Sequence, residues 1–280
     1  MSATTDDRSP KPTVLRKLWG AKALRDGHVL YWWAEIIAIL LFYFVYSAIR
    51  NAGETHAAEA FAHAKQLMSW QTTLGINHEQ TFNEWALHFR PLVIAANYYY
   101  GSLHFIVTIG VGVYLFRKWP NDYPRWRNTL GIATAIALIG FRYWPLMPPR
   151  LLDAKMYLHL HPGIRYHFVD TLDKDPAFWT FNSGAIKNIS NQFAAMPSVH
   201  CCWALWCACA LVPRVKHAWA KWAAVSYPVL TVIVIVITAN HYFLDAVAGF
   251  TIFGIGYVVA RLVTRAGRGP TVAPATVAAA

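Results

Sequence analysis

Charged residues are scarce in this chain: Asp, Glu, Lys and Arg make up 14% of its 280 residues, against roughly 25% in an average soluble domain. A deficit of that size excludes an ordinary water-facing surface over much of the chain and points to lipid as the solvent. Carboxylates are the scarcer sign, with 14 Asp and Glu against 25 Lys and Arg and a formal net charge of +11. The positive excess is not the footprint of a nucleic-acid binder, because no basic stripe interleaved with aromatics is present and the Lys and Arg residues fall in gaps between apolar runs. Cysteine is limited to Cys201, Cys202, Cys207 and Cys209, all within one apolar stretch. That clustering excludes a disulfide framework and, within a helix, a closed zinc pocket; the four read as soft packing residues. A cleavable signal peptide is not expected either. The first 28 residues are polar and basic, and the apolar run after them is too long for an h-region, so the first span is expected to stay as a signal anchor.

What the chain has in quantity is apolar: 56% of its residues are hydrophobic. Six stretches come close to the ~20 residues that a spanning helix needs. They lie at about 29 to 50, 92 to 116, 128 to 147, 198 to 213, 217 to 239 and 242 to 264, the fourth being short. The expected fold class is all-α, a polytopic membrane protein of six transmembrane helices with extracytoplasmic active-site loops. The expected parts are a basic cytoplasmic segment at 1–28, a six-helix membrane domain at 29–264 and a disordered tail at 265–280. Sixteen Lys and Arg lie in the N-terminal 28 residues and the segments 117–127, 214–221 and 261–268, whereas the long loops 51–91 and 148–197 hold seven. The positive-inside rule then puts both termini in the cytoplasm and the two long loops outside it.

Within the flanks, residues 13 to 25 read as an interfacial helix, with Val14, Leu15, Leu18 and Trp19 on one face. Residues 54 to 70 and 78 to 90 read as amphipathic helices whose Phe61, Leu67, Trp70, Phe82, Trp85 and Phe89 lie on lipid or on the body of the protein.

Three polar strings reach the extracytoplasmic ends of the spans: Phe141 to Arg150 after the third, Met196 to His200 before the fourth, and Asn240 to Asp245 between the fifth and sixth. Pro197 suits the first turn of a helix, and the unpaired N–H groups there, with Ser198 and His200, form a place for a phosphate. His200 would reach a leaving-group oxygen. His241 and Asp245, four residues apart, share a helix face, so the carboxylate can take the proton of one imidazole nitrogen and leave the other as a nucleophile. Arg150, with Arg142 as a second candidate, supplies permanent charge suited to phosphate oxygens. No carboxylate cluster suited to Mg²⁺ accompanies them, and neither a metal nor a cofactor is expected.

These strings resemble a known family. Met196-Pro197-Ser198-Val199-His200 is similar to the Pro-Ser-Gly-His motif of the type 2 phosphatidic acid phosphatase superfamily, and the His241-to-Asp245 spacing matches its third motif. Together with Pro148-Pro149-Arg150 and Asn240-His241-Tyr242, they look like the inositol phosphorylceramide synthase branch. The resemblance covers about 92 to 264 and implies six helices, with His241 attacking phosphorus, His200 protonating the leaving group and Asp245 orienting His241. Ser198 and Arg150 would hold the phosphate, with Arg142 and Asn240 as further substrate contacts. The family's first motif, a Lys followed at fixed distance by Arg-Pro, is not present as such. Val234 and Ile235 stand where the third motif usually has Ser-Arg.

Plainer roles apply to several residues. His104, beside Tyr98, Tyr99 and Tyr100, reads as hydrogen-bonded packing, with a head-group cavity as the alternative. Glu35 reads as a buried or snorkelling anchor, and His159, His161 and His167 as solvated loop residues. The loop 151–195 has the length of a lid or binding surface and is assigned to substrate recognition. The expected substrate is a membrane lipid phosphate or lipid carrier; water and an alcohol remain alternative acceptors. The other function class is a non-catalytic lipid-phosphate binder or transporter. The intact His-His-Asp set favours the enzyme, since binding alone needs no nucleophile.

Overall fold

The computed structural model describes residues 20–25, 27–51, 57–174 and 192–266. It is mostly helical. A two-stranded antiparallel pair, β1 (Lys22–Ala23) and β2 (Val29–Leu30), precedes α1 (Trp32–Asn51). The interfacial helix expected over 13 to 25 is therefore corrected at its C-terminal end, where Lys22 and Ala23 pair with Leu30 and Val29; residues 13–19 lie outside the described residues, as does the tail from 267. Next come α2 (Ala57–Thr73) and α3 (Glu79–Leu87), then α4 (Arg90–Tyr98), a π turn (Tyr99–Leu103) and α5 (His104–Lys118) as one continuous rod. The chain continues through α6 (Tyr123–Tyr143), the short α7 (Pro149–Leu152), a 3₁₀ turn (Lys155–Leu160) and α8 (Thr171–Lys174). It ends with α9 (Val199–Leu211), α10 (Ala218–Ile237) and α11 (Phe243–Ala266).

Helices thus fall on all six apolar stretches. Three rods, Arg90–Lys118, Ala218–Ile237 and Phe243–Thr264, are long and apolar enough by themselves to cross a membrane. Two of the others fall short for physical reasons. α9 has 13 residues. α6 carries Arg125, Arg127, Asn128, Thr129 and Thr134, which it tolerates because α1, α5, α9 and α11 all pack against it. On α1, Ile36, Ile37, Ile39, Leu40, Leu41, Phe42, Tyr43, Phe44 and Val45 are all exposed. An apolar helix covered on so little of its circumference suits lipid and not water.

The tightest seam joins α6 to α11. A Cβ on Gly256 would lie 2.9 Å from the Ala133 Cβ and 3.0 Å from the Thr129 carbonyl, so only glycine lets these backbones approach. Cys202, Cys207, Ala210, Trp206, Ala133, Ala137, Ile252 and Phe253 fill the core around it. The four cysteines are free thiols, three buried and Cys209 half-buried, consistent with packing. Glu35 is anchored by Arg127 at 2.6 Å and the Tyr123 hydroxyl at 3.1 Å.

Helices α2 and α3 lie over one end of the bundle. Phe61 and Leu67 of α2 pack on Met147, Leu152 and Tyr242, while Trp70, Phe82, Trp85 and Phe89 stay exposed. Those two outcomes divide the six aromatic and aliphatic positions between body and surroundings.

Candidate active site

The three polar strings meet at that end. The Arg150 amide donates to the Ala239 carbonyl at 2.8 Å, the Ser198 amide to the Asp245 carbonyl at 3.0 Å, and the Tyr242 hydroxyl to the Met147 carbonyl at 3.1 Å. Met196 and Pro197 are joined by a cis peptide. A Cβ on Gly249 would sit 2.3 Å from the Ser198 carbonyl oxygen, so the close approach of α11 to the start of α9 depends on its being glycine.

Helix α10 ends in a Schellman arrangement: the Ala239 amide reaches the Val236 carbonyl and the Asn240 amide the Ile235 carbonyl. Ala239 takes the left-handed conformation (φ 53°) usually given to glycine, and this reversal points the next residues back into the protein. His241 is 4% exposed and Asp245 fully buried. The His241 Nδ1 lies 3.2 Å from Asp245 Oδ2, which also accepts the Tyr242 amide at 3.0 Å. His241 Nε2 has no hydrogen-bond partner among the described residues. A buried imidazole with one nitrogen tied to a carboxylate and the other unused is arranged to attack an electrophile.

Ser198 caps α9, its hydroxyl accepting the Cys201 amide at 3.4 Å and so keeping its own hydrogen for an anion. The amides of Val199 and His200 have no carbonyl one turn back, so this end favours negative charge. The His200 ring stands 5.7 Å from that of His241, centroid to centroid. Tyr100 and His104, from the π turn and the start of α5, complete the group, each 4.2 Å from the His200 ring.

Arg150 is buried and paired with Asp170 at 2.8 Å. Two asparagines fix the loop that brings the aspartate there: Asn83 accepts the Val169 amide at 3.0 Å, and Asn97 donates to the Thr171 carbonyl at 3.0 Å. The remaining expected residues fare differently. Asn240 turns its side-chain nitrogen back onto the Thr238 hydroxyl at 2.9 Å, which secures the turn. Arg142 lies exposed in the last turn of α6 and is not drawn into the cluster, because the helix carries it to the outside face beside the exposed Tyr143. His161 is not solvated but buried, with Nε2 2.6 Å from the Leu152 carbonyl. His159 and His167 are exposed, and no group of three metal-binding side chains occurs among the described residues.

Two residues with no sequence signal support the site. Glu79 of α3 accepts the Phe243 amide at 2.8 Å, and Gln71 of α2 accepts the Leu244 amide at 3.0 Å. They cap the helix that carries Asp245 from positions more than 160 residues away in sequence. Burial raises the Glu79 carboxyl above its ordinary value, with the Phe243 amide pulling the other way.

No curated protein and no solved structure matches the chain. A family model described as the PAP2 superfamily matches residues 65–259, a span that holds Arg150, Ser198, His200, His241 and Asp245, and the chain therefore belongs to the PAP2 superfamily, with a phosphatase-type activity.

Proposed function

We propose that the protein is an integral membrane lipid-phosphate phosphatase or phosphotransferase that works through a phosphohistidine at the extracytoplasmic face of the cell membrane. The observation that carries this reading is the state of His241, with Nδ1 on Asp245, a buried Nε2 that has no hydrogen-bond partner among the described residues, and its ring 5.7 Å from that of His200. In the first step His241 Nε2 attacks phosphorus, the bond to the leaving oxygen breaks, and His200 gives that oxygen a proton. In the second, His200 takes a proton from the acceptor hydroxyl as its oxygen attacks phosphorus, and the P–N bond breaks to restore neutral His241. Asp245 holds the tautomer and offsets the charge that develops on the ring. Ser198, the helix-start amides of α9 and Arg150 stabilise the phosphoryl oxygens without a metal ion.

Helices on all six apolar stretches support a six-span arrangement, and the distribution of Lys and Arg supports cytoplasmic termini. The similarity of the Pro-Pro-Arg and Asn-His-Tyr strings to the inositol phosphorylceramide synthase branch supports transfer of an inositol-phosphate-type head group. The test is a quench experiment on detergent-purified protein with ³²P-labelled lipid phosphate, including phosphatidic acid, and no added divalent ion. An acid-labile, base-stable phosphoprotein should form in the wild type and be missing in His241→Ala, with turnover lost in both His241→Ala and His200→Ala. Activity within about tenfold of wild type in either variant would remove the assigned roles and favour a lipid-phosphate binder. Inhibition by a chelator that Mg²⁺ reverses would count against metal independence.

A further inference from the structure

Three rings close around His200, and two of them have no part in the chemistry above. Tyr100 stacks on it with an interplanar angle of 19°, and His104 meets it at 54°, both at centroid distances of 4.2 Å. Both are buried, Tyr100 8% and His104 6% exposed. His104 is itself held by Phe105 and Trp203, with centroids at 3.9 and 5.9 Å. Its Nδ1 has no hydrogen-bond partner among the described residues.

The backbone at this point is unusual. Tyr99–Leu103 forms a π turn between α4 and α5, a wider turn that occurs mostly where a helix serves a site. Tyr100 lies inside it and His104 is the first residue beyond, so the irregular turn delivers both rings to one histidine. A packing role alone would place apolar side chains here, as Val111 and Leu115 are placed further along the same rod. An imidazole with a buried, unsatisfied nitrogen is a costly choice for packing.

We propose that His104, with Tyr100, is a positioning residue that fixes the His200 imidazole for proton transfer to the leaving oxygen; the proposal rests on His200 being the acid of the first step. Packed against the two rings at 4.2 Å, His200 keeps one orientation. Neither His104 nor Tyr100 touches phosphorus.

A role exerted through the acid has a signature that general loosening of the fold does not. Proton donation matters for an alkoxide leaving group and hardly at all for p-nitrophenolate, which departs unprotonated. The experiment uses the full-length protein in detergent and two phosphate esters that differ only in the leaving group, a primary alkanol and p-nitrophenol. His104→Phe and His104→Gln should lower kcat/KM, which reports the step that expels the leaving group, by at least about tenfold for the alkyl ester, while kcat/KM for the p-nitrophenyl ester stays within about threefold. His200→Ala should show the same selectivity more strongly. In a His200→Ala background the His104 substitution should then have little further effect on the alkyl ester. Equal losses on both esters, or no loss on either, overturn the assignment of His104 while leaving the phosphohistidine chemistry in place. If wild type turns over neither ester and forms no phosphoprotein, the functional reading beneath it falls and the assignment falls with it. His104→Gln, the smaller polar change, decides the matter if His104→Phe does not fold.

Discussion

At the residue scale the site combines one committed hydrogen bond with one open valence, and each side chain has a measurable consequence. Asp245→Asn keeps the shape and can still accept the Tyr242 amide, but it no longer demands the N–H tautomer at His241 Nδ1. Turnover should fall by up to about ten-thousandfold, less than for His241→Ala, with substrate affinity little changed; kcat and KM measured separately on one lipid phosphate check this. Glu79 gives a prediction in pH. The folded protein holds the Glu79 proton more firmly than the unfolded chain, whose carboxyl titrates at the ordinary value of 4.5. Its stabilising contribution is therefore complete below that value and lost as pH rises through the raised one. Glu79→Gln keeps an acceptor for the Phe243 amide without the charge. The thermal midpoint of the variant relative to wild type should accordingly rise between pH 4.5 and 8, and a difference that stays flat would show that the carboxylate is not strained by burial. His241, Asp245, His200 and Ser198 were legible in the sequence because each sits in a short motif whose spacing is also its geometry. Glu79, Gln71 and Tyr100 were not, because their roles arise from contacts across the fold that leave no local pattern. His104 was visible only as a polar residue in an apolar run.

At the element scale, hydropathy located the long helices because lipid-facing and core-facing residues are both apolar. It could not separate α6, buried among four neighbours, from the rods that meet lipid, since shielding by other helices relaxes the demand for apolar side chains. Nor did it reveal Ala239, whose left-handed backbone is imposed by the packed turn and not by a glycine. Close helix contact leads to a prediction at this level. In Gly249→Ala the added methyl would meet the Ser198 carbonyl at 2.3 Å, and backbone cannot yield as a flexible side chain does. Helix α11 must then withdraw from α9, stretching the Ser198–Asp245 main-chain bond of 3.0 Å. A loss of about 1–3 kcal/mol in stability is expected, read as a lower thermal midpoint in detergent, together with a larger loss of turnover than stability alone explains. An unaltered midpoint with full activity would mean that the two helices are not in contact in solution as they are here.

At the scale of the whole molecule, the cluster sits at the end of the bundle covered by α2 and α3, opposite the Arg127 and Arg214 end where the basic segments gather. Proposed orientation and proposed substrate stand together, because a site on that side meets only what the outer leaflet displays. Lys174 is exposed on the site side of the fold. In a variant with the four native cysteines replaced, Lys174→Cys should react with a membrane-impermeant thiol reagent added to intact cells. Labelling confined to lysed cells would invert the topology and withdraw the outer-leaflet substrate.

The shortness of α9 has a final consequence for the depth at which chemistry takes place. Thirteen residues rise about 20 Å, whereas the hydrocarbon layer is about 30 Å thick. If the C-terminal end of α9 is level with the inner boundary, its Ser198 end lies roughly 10 Å beneath the outer one. The phosphoenzyme proposed above, held at that depth, would be in a layer poor in water. An amphiphilic alcohol that arrives with the lipids is already at hand there, so partition of the intermediate would favour transfer over hydrolysis well beyond the ratio of bulk concentrations.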